Sequence, residues 1–216
     1  MKYKHIIWDW NGTLVDDAWL CVEIMNGVLR RYKLKKISLF DYKRDFVFPV
    51  KNYYALLGFD FDKTPFDVCG LDFIKAFKKR KFDAPLFELS IPLISSLKQK
   101  NLHNYILSAS HQSILNETID FFDLRSYFSS ICGLTHFKAT SKVEEGHKLL
   151  SSIACDKSLV LMVGDTLHDF EVAEALNVDC VLVSHGHNSK QRLKQTAAPV
   201  FSGFFELASY LNITIN

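Results

Sequence analysis

The sequence predicts an α/β fold: a doubly wound parallel-sheet, Rossmann-like core with an inserted α-helical cap. Three observations predict it. Short apolar runs without polar alternation recur along the chain, as in strands buried on both faces. Helical patterns fall between them, and strand-helix alternation implies a parallel sheet covered on both sides. One interval, residues 17–89, holds no convincing buried strand and is too long for a crossover loop.

The expected strands span residues 5–8, 104–107, 130–132, 158–163 and 179–183, each short and rich in Ile, Val or Leu. The expected helices span 91–100, 113–122, 143–152 and 169–176. Text such as "DFIKAFKKRKF" makes 17–89 helical, and it leaves directly after the first strand. In an open α/β sheet the site lies at the carboxyl ends of the strands, so such an insert covers it. The expected division is therefore a core of 1–16 and 90–216 with a cap of 17–89.

Composition narrows the function classes. The 216 residues, 48% hydrophobic and 23% charged, suffice for a sizeable core. A net charge of +2 gives no reason to expect nucleic acid or an anionic membrane as partner. Five scattered Cys with no C-x-x-C argue against a disulfide framework or structural zinc and for a reducing, cytoplasmic setting. The apolar run after the basic start is short and contains Asp9, unlike a signal peptide. No apolar stretch approaches the roughly 18 residues of a membrane span. Nothing in the sequence fixes the oligomeric state.

The strand ends carry the chemistry. Asp9, Asn11 and Thr13 follow the first strand, in "DWNGT". Ser108 follows the second, in "ILSAS", with Ser110 as a rival. Lys142, in "ATSKVEEG", opens a helix after the third, with Lys138 as a rival. Asp165 and Asp169 follow the fourth, in "MVGDTLHD". In a parallel sheet these groups share one edge. Carboxylates suit Mg2+, which uses one or two of them plus substrate phosphate. Phosphoryl transfer needs such positioning and charge neutralisation, and a carboxylate can be the nucleophile. Each residue alone has a plainer reading: a turn Asp, a helix-capping Asp, a strand-end Ser, a surface Lys.

Taken together the four motifs resemble the haloacid dehalogenase superfamily across residues 6–183, and the later "VLVSHGHNSKQRL" and "FSGFFEL" resemble its phosphoglycolate phosphatase-like branch. The resemblance implies a Mg2+-dependent phosphatase acting on a small phosphorylated metabolite. It assigns Asp9 as nucleophile and metal ligand. Asn11 (through its carbonyl), Asp165 and Asp169 complete the metal site, with Asp169 supporting the metal or orienting Lys142. Thr13, Ser108, Ala109 and Lys142 hold the phosphoryl group.

Position 11 departs from the pattern, because the phosphatases of this family carry Asp there. That Asp protonates the leaving oxygen and then activates water, and an amide does neither. General acid–base catalysis is worth roughly 100- to 10,000-fold. The loss bears least on a leaving group that needs no proton. Three readings follow: a phosphatase or phosphotransferase with a modified first motif, a phosphonatase-type carbon–phosphorus hydrolase with a cap Lys, or a phosphoester-binding protein without turnover. Dehalogenation conflicts with the retained "GDTLHD".

Other features have bland expectations. His111, His168, His185 and His187 suit no local metal site and read as polar loop surface, though His168 falls inside a motif. "RRYKLKK" and "FKKRK" read as solvated helix faces. "FVFPVKNYY" packs the cap, and Lys51 within it has no direction fixed by sequence.

Overall fold

The structure, a computed structural model, describes residues 2–137 and 141–215. Among these residues the chain runs β1 His5–Trp8, α1 Ala18–Arg31, α2 Leu39–Asp45, α3 Val50–Leu56, α4 Phe66–Arg80, α5 Ser90–Gln99 and β2 His103–His111. It continues α6 Gln112–Phe121, β3 Ser130–Leu134, α7 Val143–Ile153, β4 Val160–Gly164, α8 Leu167–Leu176, β5 Asp179–Val183, α9 Lys190–Leu193, β6 Val200–Phe201 and α10 Phe204–Tyr210. The strands form one six-stranded sheet in the order β3-β2-β1-β4-β5-β6, with every pairing parallel.

β1 is central because both of its edges are paired, Trp8 opposing Ile106 on one side and Val163 on the other. Its apolar run is continuous because both faces are covered. Ile6 and Trp8 pack on one face with Ile106, Val163 and residues of α5, α6 and α10. Ile7 packs on the other with Leu107, Met162 and residues of α7 and α8. This period-2 split is what winds the helices onto both faces. Trp8 fits in the core because its indole N–H donates to Asn104 Oδ1 at 2.9 Å.

Three strand expectations shift, β3 among them, since it runs to Leu134 rather than residue 132. β2 runs past Leu107 to His111, so Ser108, Ala109 and Ser110 lie on a strand rather than a loop. Pairing with β3 sustains it there, through a register shift between Leu107 and His111. β4 begins at Val160 instead of residue 158, because Lys157–Leu159 form a 3-10 turn capped by Asp156. The two-residue edge strand β6 carries too little apolar text to be read from sequence.

Residues 18–80 contribute four helices, α1 to α4, and no strand. The chain leaves and re-enters the sheet side by side: Asp16 N–H donates to the Pro85 carbonyl at 2.8 Å, and Phe87 N–H to the Leu14 carbonyl at 3.0 Å. The apolar stripe of α1 (Leu20, Ile24, Met25, Val28) belongs to the same cluster as Trp8 and Ile106. No helix among the described residues is long and apolar enough to cross a membrane.

Candidate active site

Asp9 stands where β1 ends, its backbone N–H still donating to the Val163 carbonyl at 2.9 Å. Lys142 precedes the first turn of α7 and is 1% exposed. A buried ammonium needs acceptors for all three protons. Lys142 Nζ has them: Asp9 Oδ1 at 2.5 Å, Asp169 Oδ1 at 2.7 Å and the Leu107 carbonyl at 2.9 Å. Three strands are thus tied together at one atom. The rival Lys138 lies outside the described residues.

The turn after β4 serves two purposes. Asp169 Oδ2 accepts from Thr166 N–H at 2.9 Å, Thr166 Oγ1 at 2.7 Å and Asp165 N–H at 3.1 Å. This is the capping box of α8, so the plainer reading of "GDTLHD" is also true. Its Oδ1 meanwhile carries Lys142. Asp165 is fully buried and accepts from Thr13 Oγ1 at 2.8 Å and His187 N–H at 2.5 Å. Asp9, Asp165 and Asp169 each present an oxygen within 4.8 Å of the others.

Charge explains what this cluster needs. Asp9, Asp16, Asp17, Asp165 and Asp169 face Lys43, Lys142 and His187 as cations, leaving two negative charges unbalanced in a largely buried setting. Burial, only partly offset by Lys142, pushes Asp9 up to about 8. Burial likewise pushes Asp165 up to about 6. Asp169 goes the other way: burial raises it, but the charge and hydrogen bond of Lys142 outweigh that and hold it below the ordinary range. Lys142 is raised: burial lowers it, but Asp169 and Asp9 outweigh that. A divalent cation would balance that charge, and hard carboxylate oxygens are ligands such an ion prefers.

Asn11 sits in a second network that the motifs do not reveal. Its amide nitrogen donates to Asp17 Oδ2 at 2.7 Å, and its Oδ1 accepts from Ser110 Oγ at 2.7 Å. Asp17 also accepts from Gly12 N–H at 2.9 Å and lies 3.3 Å from His187 Nε2. His187 Nδ1 meets the Tyr42 hydroxyl at 3.0 Å. Burial opposes a charge on His187, but the charge and hydrogen bond of Asp17 outweigh it and push the ring up to about 9. Gly12 has a φ of +76°, and a side chain there would strike His187 and Asp165.

The histidine expectation is corrected. His187 is 6% exposed and His168 is 7% exposed. Both line the same cavity as Asp9, Asn11, Ser108 and Lys142. His185 is held by the Thr13 carbonyl at 3.1 Å and stacks on Phe87. The sequence hides them because they follow strand ends, where polar text looks like loop surface. Their burial comes from rings packed against them, Tyr42 and Phe46 on His187, Phe48 on His168, and Phe87 and Phe204 on His185.

The cavity occupies about 160 Å³ between the strand ends and helices α1 to α4. Its far wall is aromatic: Tyr42, Phe46, Phe48, Tyr53, Tyr54, Phe73 and Phe77. Ser108 and Ala109 line it as expected, and Ser108 Oγ accepts from Ser110 N–H at 3.1 Å. The Thr13 side chain does not line it: the hydroxyl's one proton goes to Asp165, so its immediate task is to hold that carboxylate. Asp165 itself also lies behind the cavity surface. Lys51 points away, over the Phe61 ring.

A doubly wound sheet with acidic groups and a buried Lys converging at its carboxyl edge defines a hydrolase-type site. The chain belongs to the haloacid dehalogenase-like hydrolase family, whose model matches residues 6–183. It is similar in fold to a predicted phosphatase from Clostridium acetobutylicum, at 22% identity over 98% of this chain and 99% of that one, with a TM-score of 0.85. A haloacid dehalogenase-like family protein from Streptococcus pneumoniae superposes with a TM-score of 0.82 at 16% identity, covering 97% and 99% of the two chains. A predicted phosphoglycolate phosphatase from Haemophilus somnus gives a TM-score of 0.76 at 16% identity, covering 98% and 99%. None of the curated protein sequences compared with the chain matches it.

Proposed function

We propose that the chain is a Mg2+-dependent phosphatase that hydrolyses a small phosphate monoester through an aspartyl-phosphate on Asp9. One observation carries this reading: the Asp9 carboxylate is held by Lys142 beside a buried acidic cluster with two charges in excess. Asp9, Asp165 and the Asn11 carbonyl would hold the cation, which neutralises charge on the phosphoryl oxygens when bound. Asp169, saturated by its cap and by Lys142, orients that lysine. The named neighbours, a predicted phosphatase and a predicted phosphoglycolate phosphatase, support the same reaction type.

The steps follow from the residues. The Asp9 carboxylate attacks phosphorus, and Lys142 balances charge moving onto the phosphoryl oxygens. Ser108 and the neighbouring backbone position that group. The helices of residues 17–89 act as a cap on a core of 1–16 and 90–216 and exclude water. Asn11 can hydrogen-bond a leaving oxygen but cannot protonate it.

The carbon–phosphorus hydrolase reading is disfavoured. It needs a lysine free to form a Schiff base, and the sole lysine among the described cavity residues is Lys142, with all its protons engaged. The test is direct. Acetyl phosphate with Mg2+ should phosphorylate Asp9, seen by mass spectrometry of the peptide containing it. Asp9→Asn should abolish the label and turnover of any phosphate ester, by about 1,000-fold or more. Absence of both label and turnover in the unaltered protein would leave only a binding role.

A further inference from the structure

The cavity is most informative about the leaving group, and its identity can be inferred only on the phosphatase reading. Two buried side-chain atoms make no hydrogen bond among the described residues: the Tyr53 hydroxyl and His168 Nε2. Both residues line the one cavity that holds Asp9. Such atoms are costly and rare in native structures, and each calls for a partner. The Tyr53 ring is fixed by edge-on contacts to Tyr42 and Phe46, at centroid distances of 5.7 and 5.3 Å. Its hydroxyl is therefore an unpartnered polar point buried within the aromatic wall, which a ligand group meets by displacing the surrounding rings slightly. His168, next to Asp169 in sequence and stacked on Phe48 at 4.7 Å, stands at the phosphoryl end.

The remaining lining excludes a common class of substrate. No Arg lines the cavity among the described residues, and its two cations have their protons engaged, Lys142 by Asp9, Asp169 and Leu107 and His187 by Asp17 and Tyr42. A carboxylate on the leaving group would meet aromatic rings instead, with Asp9, Asp17 and Asp169 nearby. A flat, uncharged group suits these walls. Asn11 adds a chemical constraint. Its amide is locked between Asp17 and Ser110, so the leaving oxygen departs without a proton from position 11. An alkoxide leaves poorly that way. A phenolate, whose conjugate acid has a pKa of about 10, leaves far more readily.

We infer that the substrate is the phosphate monoester of a phenol bearing a hydrogen-bonding substituent. The ring lies against the aromatic wall and the substituent reaches the Tyr53 hydroxyl. An Asp9 oxygen bonds to phosphorus as the bond from phosphorus to the aryl oxygen breaks. The aryloxide leaves with the electron pair and takes a proton from water. The hydroxide equivalent attacks the phosphorus of phospho-Asp9, the bond to Asp9 breaks, and hydrogen phosphate and the free carboxylate result.

The full-length protein with Mg2+ tests this against phenyl phosphate, 4-hydroxyphenyl phosphate, benzyl phosphate and phosphoglycolate. Benzyl phosphate keeps the ring but has an ordinary alcohol as leaving group. We expect kcat/KM for both aryl esters to exceed those of benzyl phosphate and phosphoglycolate by about tenfold or more. Tyr53→Phe should raise KM for 4-hydroxyphenyl phosphate at least about threefold more than KM for phenyl phosphate. Benzyl phosphate or phosphoglycolate turned over as well as the aryl esters would overturn the inference, as would a Tyr53→Phe effect equal on the two aryl esters. If no ester is hydrolysed and acetyl phosphate does not label Asp9, the phosphatase reading falls instead. Calorimetry with Mg2+ then decides the ligand class: phenyl phosphate bound more tightly than phosphoglycolate supports it, and the reverse order or no binding overturns it.

Discussion

The two sides of the cavity are built on opposite rules. The floor, at the strand ends, is a closed set of ion pairs and hydrogen bonds in which one Lys142 proton each goes to Asp9, Asp169 and Leu107. The wall, from helices α2 to α4 and the turn before α3, is mainly aromatic rings and includes the unpaired Tyr53 hydroxyl. The floor fixes atoms to within a hydrogen bond, as chemistry requires. The wall fixes shape and polarity, as selection of a substrate requires. Changes to the floor should therefore act on kcat, and changes to the wall on KM.

Lys142→Met gives the largest expected effect of this kind. It strips Asp9 and Asp169 of their shared cation in a buried site. Breaking a buried pair costs about 3–5 kcal/mol of stability. Turnover should fall about 100-fold or more at saturating substrate. Thermal unfolding and kcat report the two losses, and a variant that lost only substrate affinity would erase the distinction between floor and wall.

Position 11 lies on the boundary and yields a sharper test. Asn11→Asp alone would set a carboxylate against Asp17, whose oxygen now lies 2.7 Å from the Asn11 nitrogen. Like charges at that distance cannot both ionise comfortably. The single variant should be less stable and gain little. Asn11→Asp combined with Asp17→Asn restores a donor–acceptor match and should raise kcat on alkyl esters by roughly 100-fold. Equal gains in the single and double variants would show that Asp17 does not constrain the amide.

How much of the molecule is legible in its sequence depends on the kind of signal. β1, β5 and the order of the strand-end motifs can be read because burial on both faces leaves uninterrupted apolar text. Asp9, Asn11, Ser108, Ala109, Lys142 and Asp169 do meet at one cavity, since a parallel sheet brings every strand end to the same edge. Asp17, Ser110, Tyr42 and His187 are not legible as a group. They come from four separate segments, and only the packing of the α1 start and α2 against the end of β2 and the loop after β5 brings them together. A second acidic residue in "LVDD" is the available hint. The aromatic wall is legible as an excess of Phe, 18 copies, which reads as core filling, and as "FVFPVKNYY", which reads as packing of the cap rather than as a substrate wall.

The excess charge in the floor makes a stability prediction. Asp9 is raised to about 8 and Asp165 to about 6 from an ordinary value of 3.8, and His187 is raised to about 9 from 6.5. A group raised on folding contributes stability below its unfolded value and loses it as pH climbs through the folded one. Asp165 therefore loses its contribution by about pH 6, and Asp9 and His187 act in the same direction between about pH 6 and 9. Metal-free protein should unfold at progressively lower temperature across that window. Mg2+ should raise Tm most at the alkaline end, where the carboxylates are free of protons to bind it. A metal-free Tm that is flat or rises from pH 6 to 9 would show that the cluster carries no excess charge.

The smallest effect belongs to the wall. Phe46 is half-buried and packs against Tyr42 at 4.9 Å and Tyr53 at 5.3 Å, both centroid distances. Its removal should cost less than the roughly 3–5 kcal/mol of deleting a fully buried Phe. Phe46→Ala widens the cavity beside Tyr53 and frees that ring to tilt. For phenyl phosphate, KM should rise about three- to tenfold with kcat within about twofold, since a lost ring contact is uniform binding. Acetyl phosphate has no ring to place, so its rate of labelling Asp9 should change less than the KM for phenyl phosphate. If labelling and ester hydrolysis fall together, Phe46 supports the floor rather than the substrate. The aromatic layer would then be part of what holds Asn11 and His187 in place.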